Sequence, residues 1–140
     1  MKKLLSVLLS VLFVTVALTP SFCLAVTEDP FVSPIDIEEY SLTTTIAASL
    51  SISSGIARVA GSVGCQYASG YCSITVKLQK KASNGTWHTV KTWTNSGTLA
   101  TSAGGNYSVS SGSYRTCVTA TVTYNGSSEH PFVYSATKTC

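Results

Sequence analysis

Residues 112–126, GSYRTCVTATVTYNG, alternate more regularly than any other stretch of this chain. Val118, Ala120 and Val122 fall on one face, and Arg115, Cys117, Thr119, Thr121 and Thr123 fall on the other. A period of two, rich in β-branched residues, marks a strand with one buried and one wet face. That reading puts Cys117 on the wet side. The chain that surrounds it has to explain why.

Working outward, every segment after Tyr40 reads the same way. TTTIAASLSIS aligns Ile46, Ala48, Leu50 and Ile52, and after Ser53-Ser54-Gly55 the stretch IARVAGSVGC aligns Ala57, Val59, Gly61 and Val63. SITVKLQK turns Ile74, Val76 and Leu78 inward, with Thr75, Lys77 and Gln79 outward. Asn84-Gly85 is a strong hairpin signal because both residues tolerate positive φ, and TWHTVKTW returns from it. NYSVS, YRTCVTATVTY and PFVYSATKT supply the remaining strands, and no long stretch after the N-terminal region holds a 3.6-residue period. Seven short strands between turns predict an all-β, antiparallel two-sheet sandwich over residues 41–140.

The N-terminus reads as an export signal. Lys2 and Lys3 precede an apolar run from Leu4 to Leu18, Pro20 interrupts it, and Cys23-Leu24-Ala25 offers small residues for cleavage. Residues 1–25 are therefore expected to be removed, leaving about 115 residues, enough for one small domain. Phe22 is too large for the usual lipid-attachment pattern at Cys23. Residues 26–40 combine five acids with Pro30 and Pro34 and suit a flexible acidic lead-in. Without Cys23, four cysteines remain: Cys65, Cys72, Cys117 and Cys140. An even number in an exported chain predicts two disulfides, with three possible pairings.

Beyond Tyr40 the acid content is Glu129 alone, against Arg58, Lys77, Lys80, Lys81, Lys91, Arg115 and Lys138. This basic body suits solubility or an anionic envelope partner. Catalysis has little to draw on. No paired carboxylates are available for glycoside chemistry, no Asp follows to orient a Ser–His pair, and His88 and His130 stand apart from any metal-ligand spacing. The matches to the glycosylation pattern at Asn84, Asn106 and Asn125 are the chance kind expected in a Ser/Thr-rich chain with a bacterial-looking MKKLL start. No cofactor, no nucleic-acid partner and no stable membrane insertion after signal cleavage are expected.

SSGIARVAGSV, VKLQKKASNGTWHTVKTW and YSVSSGSYRTCVTATV together resemble an uncharacterised family of small secreted Gram-positive proteins with one immunoglobulin- or fibronectin-III-like domain. The resemblance implies strands A, B, C, C′, E, F and G and carries no functional residues to transfer. Tyr114 stands near the place of a corner tyrosine before strand F, but three residues ahead of Cys117 instead of two. In that topology Cys65 and Cys72 meet at one pole and Cys117 and Cys140 at the other. Cross-pairing would span a strand, roughly 15–20 Å, against the ~5.5 Å of a bridge. The expected bonds are thus Cys65–Cys72, around the pole loop, and Cys117–Cys140, holding the chain end.

Three surfaces are candidates for contact. Trp87 and Trp93 share one face if Asn84-Gly85 is a two-residue loop, with Trp93 opposite Val76, Trp87 opposite Ala82 and Lys91 opposite Leu78. A bulge would instead turn Val90 inward and release a tryptophan. The outer face carries Lys77, Thr119 and Thr121, with Phe132 and Tyr134 beside Thr123 and Thr121 in the simplest register. The pole loop carries Gln66, Tyr67 and Tyr71. The candidate binding residues are therefore Gln66, Tyr67, Tyr71, Lys77, Trp87, Thr119, Thr121 and Tyr134. They predict a secreted, non-catalytic binding or envelope-associated protein whose partner is a protein, glycan or cell-wall polymer. The contrasting expectation is a small exported toxin or antimicrobial protein.

Overall fold

The computed structural model describes residues 40–140. The expected signal sequence and all of the acidic segment but Tyr40 lie outside the described residues. Nine strands follow in order: β1 (Thr43–Ser53), β2 (Ile56–Cys65), β3 (Tyr71–Lys81), β4 (Trp87–Thr98), β5 (Ala100–Ser108), β6 (Ser113–Tyr124), β7 (Ser127–Glu129), β8 (Phe132–Tyr134) and β9 (Lys138–Thr139). One antiparallel sheet runs β1-β2-β5. The other runs β4-β3-β6, with β7, β8 and β9 all laid along the far edge of β6. The expected last strand, PFVYSATKT, is thus delivered in two pieces, β8 and β9, with β7 ahead of them on the same edge.

The alternation read from the sequence sets the core. Ile46, Ala48, Leu50 and Ile52 of β1 and Ala57, Val59 and Val63 of β2 face Ile74, Val76 and Leu78 of β3 and Val118, Ala120 and Val122 of β6, all buried. The sheets approach closely at Gly61. A Cβ there would lie 2.6 Å from Val118 Cγ2 and 2.7 Å from Val76 Cγ2, so only glycine lets the two valines close over β2. Thr116 adds a polar tie: its hydroxyl donates to the Ser49 carbonyl across the sandwich at 3.0 Å. Tyr114 is buried beneath the start of β6 and donates its hydroxyl to the Ser110 carbonyl at 2.9 Å.

Two registers differ from expectation, and each has a local cause. On the β3–β4 ladder Trp93 does face Val76 and Lys91 does face Leu78, but the register then shifts by one, so Trp87 faces Lys81 instead of Ala82. The extra residue is Val90, which packs on the core beside Trp93, while Lys91 stays exposed at the sheet edge. The bulge has separated the tryptophans: Trp93 covers the core and Trp87 is released to the outer side. On β6, Asn125-Gly126 makes a two-residue turn with φ of 48° and 80°. Tyr124 therefore pairs with Ser127, and Phe132 and Tyr134 fall beside Thr119 and Cys117, not Thr123 and Thr121.

The expected disulfides are not formed: Cys65, Cys72 and Cys117 are free thiols. Cys117 faces outward as read, yet it is buried there because Tyr134 pairs across from it. Cys140 meets Gly112 through two backbone hydrogen bonds. Five residues separate Gly112 from Cys117, ~16 Å along the strand, well beyond bridging distance. Cys65 and Cys72 do share a pole, but they look different ways. Cys65 Sγ accepts from the Tyr67 amide at 3.5 Å, and the Cys72 thiol is directed at the Leu99 carbonyl at 3.8 Å.

Glu129 closes the sandwich at the start of β1. One carboxylate oxygen accepts from the Ser41 and Leu42 amides and the Ser41 hydroxyl, and the other accepts from the Thr43 amide and hydroxyl, all at 2.7–3.0 Å. Burial pushes its pKa up, but the hydrogen bonds from Leu42, Ser41 and Thr43 outweigh burial and hold it below the ordinary 4.5. A lowered folded pKa contributes stability that is present above the ordinary value and lost as pH falls through it.

Two expectations follow. Gly61→Ala should cost about 1–3 kcal/mol by overpacking, read as a lower urea midpoint at unchanged slope. Between pH 6 and pH 3 the melting temperature of the native protein should fall more steeply than that of Glu129→Gln, whose amide cannot titrate. Parallel curves would remove the carboxylate from the account.

Candidate functional site

The outer face of the larger sheet is assembled from every second residue of four strands. β3 contributes Tyr71, Ser73, Thr75, Lys77 and Gln79, and β6 contributes Thr123, Thr121, Thr119 and Arg115 in the matching register. β4 adds Thr98, Ser96, Thr94 and Thr92 on one flank, and the last strands add Phe132 and Tyr134 on the other. Hydroxyl-bearing β-branched residues suit such a face because they favour strands and still leave polar groups in water.

Part of this face is concave. Ser73, Thr75, Thr119, Ala120, Thr121, His130, Phe132 and Tyr134 line an open groove of about 480 Å³. His130 sits in its wall with Nδ1 3.1 Å from the Thr121 hydroxyl. Phe132 is 55 % exposed and meets Tyr134 edge-on at 6.0 Å between ring centres. The groove therefore pairs aromatic surface with a row of hydroxyl groups.

At one end of the groove lies Arg115. Its guanidinium carbon is 4.0 Å from the centre of the Tyr134 ring and 4.4 Å from that of Trp87, and its Nε donates to Gln79 Oε1 at 2.9 Å. Trp87 reaches it from β4 across β3, and Tyr134 reaches it from the opposite side of β6, so the two rings bracket the cation. Each contact contributes roughly 0.5–1 kcal/mol, and more as water is excluded. The Lys81 ammonium lies 5.9 Å from the Trp87 ring centre, and Lys77 stands across from Cys117 one position along. Among the described residues the one acid is Glu129, which faces the Ser41–Thr43 backbone. Among the described residues this face carries cations and no carboxylate.

The thiol beneath this face is held toward its protonated form. Burial pushes the Cys117 pKa up, and Lys77, Arg115 and the hydrogen bond from Tyr134 only partly oppose it. Cys72 is likewise raised, by burial first and then by Cys65.

Six of the eight residues singled out from the sequence meet on this face: Tyr71, Lys77, Trp87, Thr119, Thr121 and Tyr134. The other two do not. The Tyr67 ring lies flat on Tyr124, with centres 4.0 Å apart and planes 5° apart, and Gln66 is held by its amide on the Leu42 carbonyl. The pole loop is pinned by this stack in place of the expected disulfide. Sequence reasoning set His130 aside as isolated and left out the role of Arg115 as a bracketed cation. The signal for both was the Asn125-Gly126 turn, which puts His130 beside Thr121 and Tyr134 within reach of Arg115. No family model, no curated protein and no solved structure matches the chain, so its reading rests on the chemistry of this face.

Proposed function

We propose that this chain is an exported, non-catalytic binding module that holds an extended polymer of the cell envelope along the outer face of its larger sheet. The observation that carries this reading is the groove from Ser73 to Tyr134. It is open at the surface, walled by hydroxyl groups and edged by Phe132 and Tyr134. Saccharide chains present alternating hydroxyl and apolar C–H surfaces, which such a wall and such rings complement. Glu129 supports a non-catalytic role, because its carboxylate spends its acceptor sites on Ser41–Thr43 and lies off the groove.

An immunoglobulin- or fibronectin-III-like domain is the fold type we assign. In that lettering the sheets read A-B-E and C′-C-F-G, with β7, β8 and β9 together as G. Tyr114, bonded to the carbonyl four residues before it, acts as the corner tyrosine despite its offset spacing. In such domains loops at the poles often carry recognition; here a sheet face does so.

Thr121→Trp, which fills the groove from a half-exposed strand position, tests the assignment. Retention of the protein on insoluble Gram-positive cell-wall material should drop about tenfold or more, with the melting temperature within a few degrees of the parent. Gln66→Ala, in the pole loop, should leave retention unchanged. Retention of Thr121→Trp at the parent level would overturn the assignment.

A further inference from the structure

We infer that the ligand of this face carries an oxyanion, a carboxylate or a phosphate on a saccharide polymer, and that Arg115 is the residue that receives it. The inference rests on the binding-face reading above and narrows it to anionic chains.

The argument starts from the surroundings of Arg115. Two aromatic ring centres lie 4.0 and 4.4 Å from its guanidinium carbon, and Gln79 Oε1 accepts from Nε. The donors left over are the terminal N–H groups, which lie in the guanidinium plane and match the two oxygens of a carboxylate or phosphate. No carboxylate among the described residues pairs with them, since Glu129 is committed to Ser41, Leu42 and Thr43. A part-buried guanidinium held between two rings and bonded to Gln79 has given up part of its freedom and part of its water. An incoming oxyanion therefore meets a preorganised fork in a medium less polar than bulk solvent.

The neighbours extend the same chemistry. Lys77 and Lys81 stand on either side along β3, so the cations form a short row beside the groove. A chain lying in the groove would place its rings against Tyr134 and Phe132 and its hydroxyls against Thr119, Thr121 and His130. A charged substituent would then reach Arg115.

Trp87 supplies a built-in reporter, because a ligand at Arg115 alters the cation stacked on the indole, whereas Trp93 lies over the core. The test titrates the protein at about 0.15 M salt, where loose surface attraction is screened, while following tryptophan emission. Three probes are compared: oligogalacturonate, its methyl ester and poly(glycerol phosphate). Saturable binding is expected for at least one of the two anionic probes, and which one binds identifies the source of the oxyanion. The methyl ester should bind about tenfold or more weakly than oligogalacturonate if the carboxylate is the group received. Arg115→Gln should lose about tenfold or more in affinity for the probe that binds. Arg115→Lys keeps the charge without the fork and should also weaken it, and Arg58→Gln, on the outer face of the other sheet, should not.

Equal losses for Arg115→Gln and Arg58→Gln would reduce the effect to bulk charge and overturn the inference. Equal affinity of a single-stranded oligonucleotide for the face would overturn it as well. So would a methyl ester that binds as well as the acid while poly(glycerol phosphate) does not bind. In that last case cell-wall retention that still depends on Thr121 would leave the binding-face assignment standing. Loss of both would remove the two together.

Discussion

The register imposed by Asn125-Gly126 is the constraint on which the rest of the molecule depends. Both residues take positive φ, the combination that lets a two-residue turn follow the natural twist of a strand pair. Tyr124 then faces Ser127, and the same register runs through Pro131 to Tyr134. Because side chains alternate, this choice decides which residues of the last strand look inward. Glu129, opposite Val122, points toward β1 and gathers the Ser41–Thr43 backbone. Phe132 and Tyr134, opposite Thr119 and Cys117, stand on the outer face. A slip of one residue would exchange the two sets, burying a tyrosine and setting the carboxylate among the cations.

A second small irregularity divides the tryptophans. One extra residue at Val90 shifts β4 by one place against β3, so the strand presents Trp93 to the core and Trp87 to solvent. Trp93 needs its own accommodation. A Cβ on Gly105 would sit 2.8 Å from the indole nitrogen, so the strand beneath it is bare at that point. The bulge thus divides the two tryptophans between the core and the outer face. It lets one aromatic finish the hydrophobic layer while the other reaches across β3 to Arg115.

The two-sheet arrangement was legible in the sequence because alternation is a local signal with a global meaning. Each predicted inward set, from Ile46–Ile52 to Val118–Val122, is buried. The outward direction of Cys117 was legible for the same reason. Its partner was not, because that depended on the last strand being continuous. Pro131 interrupts the strand assignment between β7 and β8. Ser135 then interrupts the ladder itself: its hydroxyl accepts from the Thr116 amide where a backbone carbonyl would normally do so. The register shifts by one residue before β9, which carries Cys140 to Gly112. Of the candidate site, the row of threonines could be read from period alone. The bracketing of Arg115 could not, because it joins residues from three strands through one bulge and one turn.

Among the described residues Arg115 is a part-buried cation with no carboxylate partner. Other polar groups are bonded within the fold: Glu129 to Ser41–Thr43, Thr116 to Ser49, and Tyr114 to Ser110. A guanidinium with no carboxylate near it gains little from the fold beyond its two ring contacts and Gln79. A leucine in the same slot would pack on Trp87 and Tyr134 without the desolvation cost of a charge. A lysine would keep its ammonium in water and leave the rings free. Stability alone therefore gives little reason for an arginine between these two rings, on the face that carries the groove. An anion arriving from outside the chain does give one.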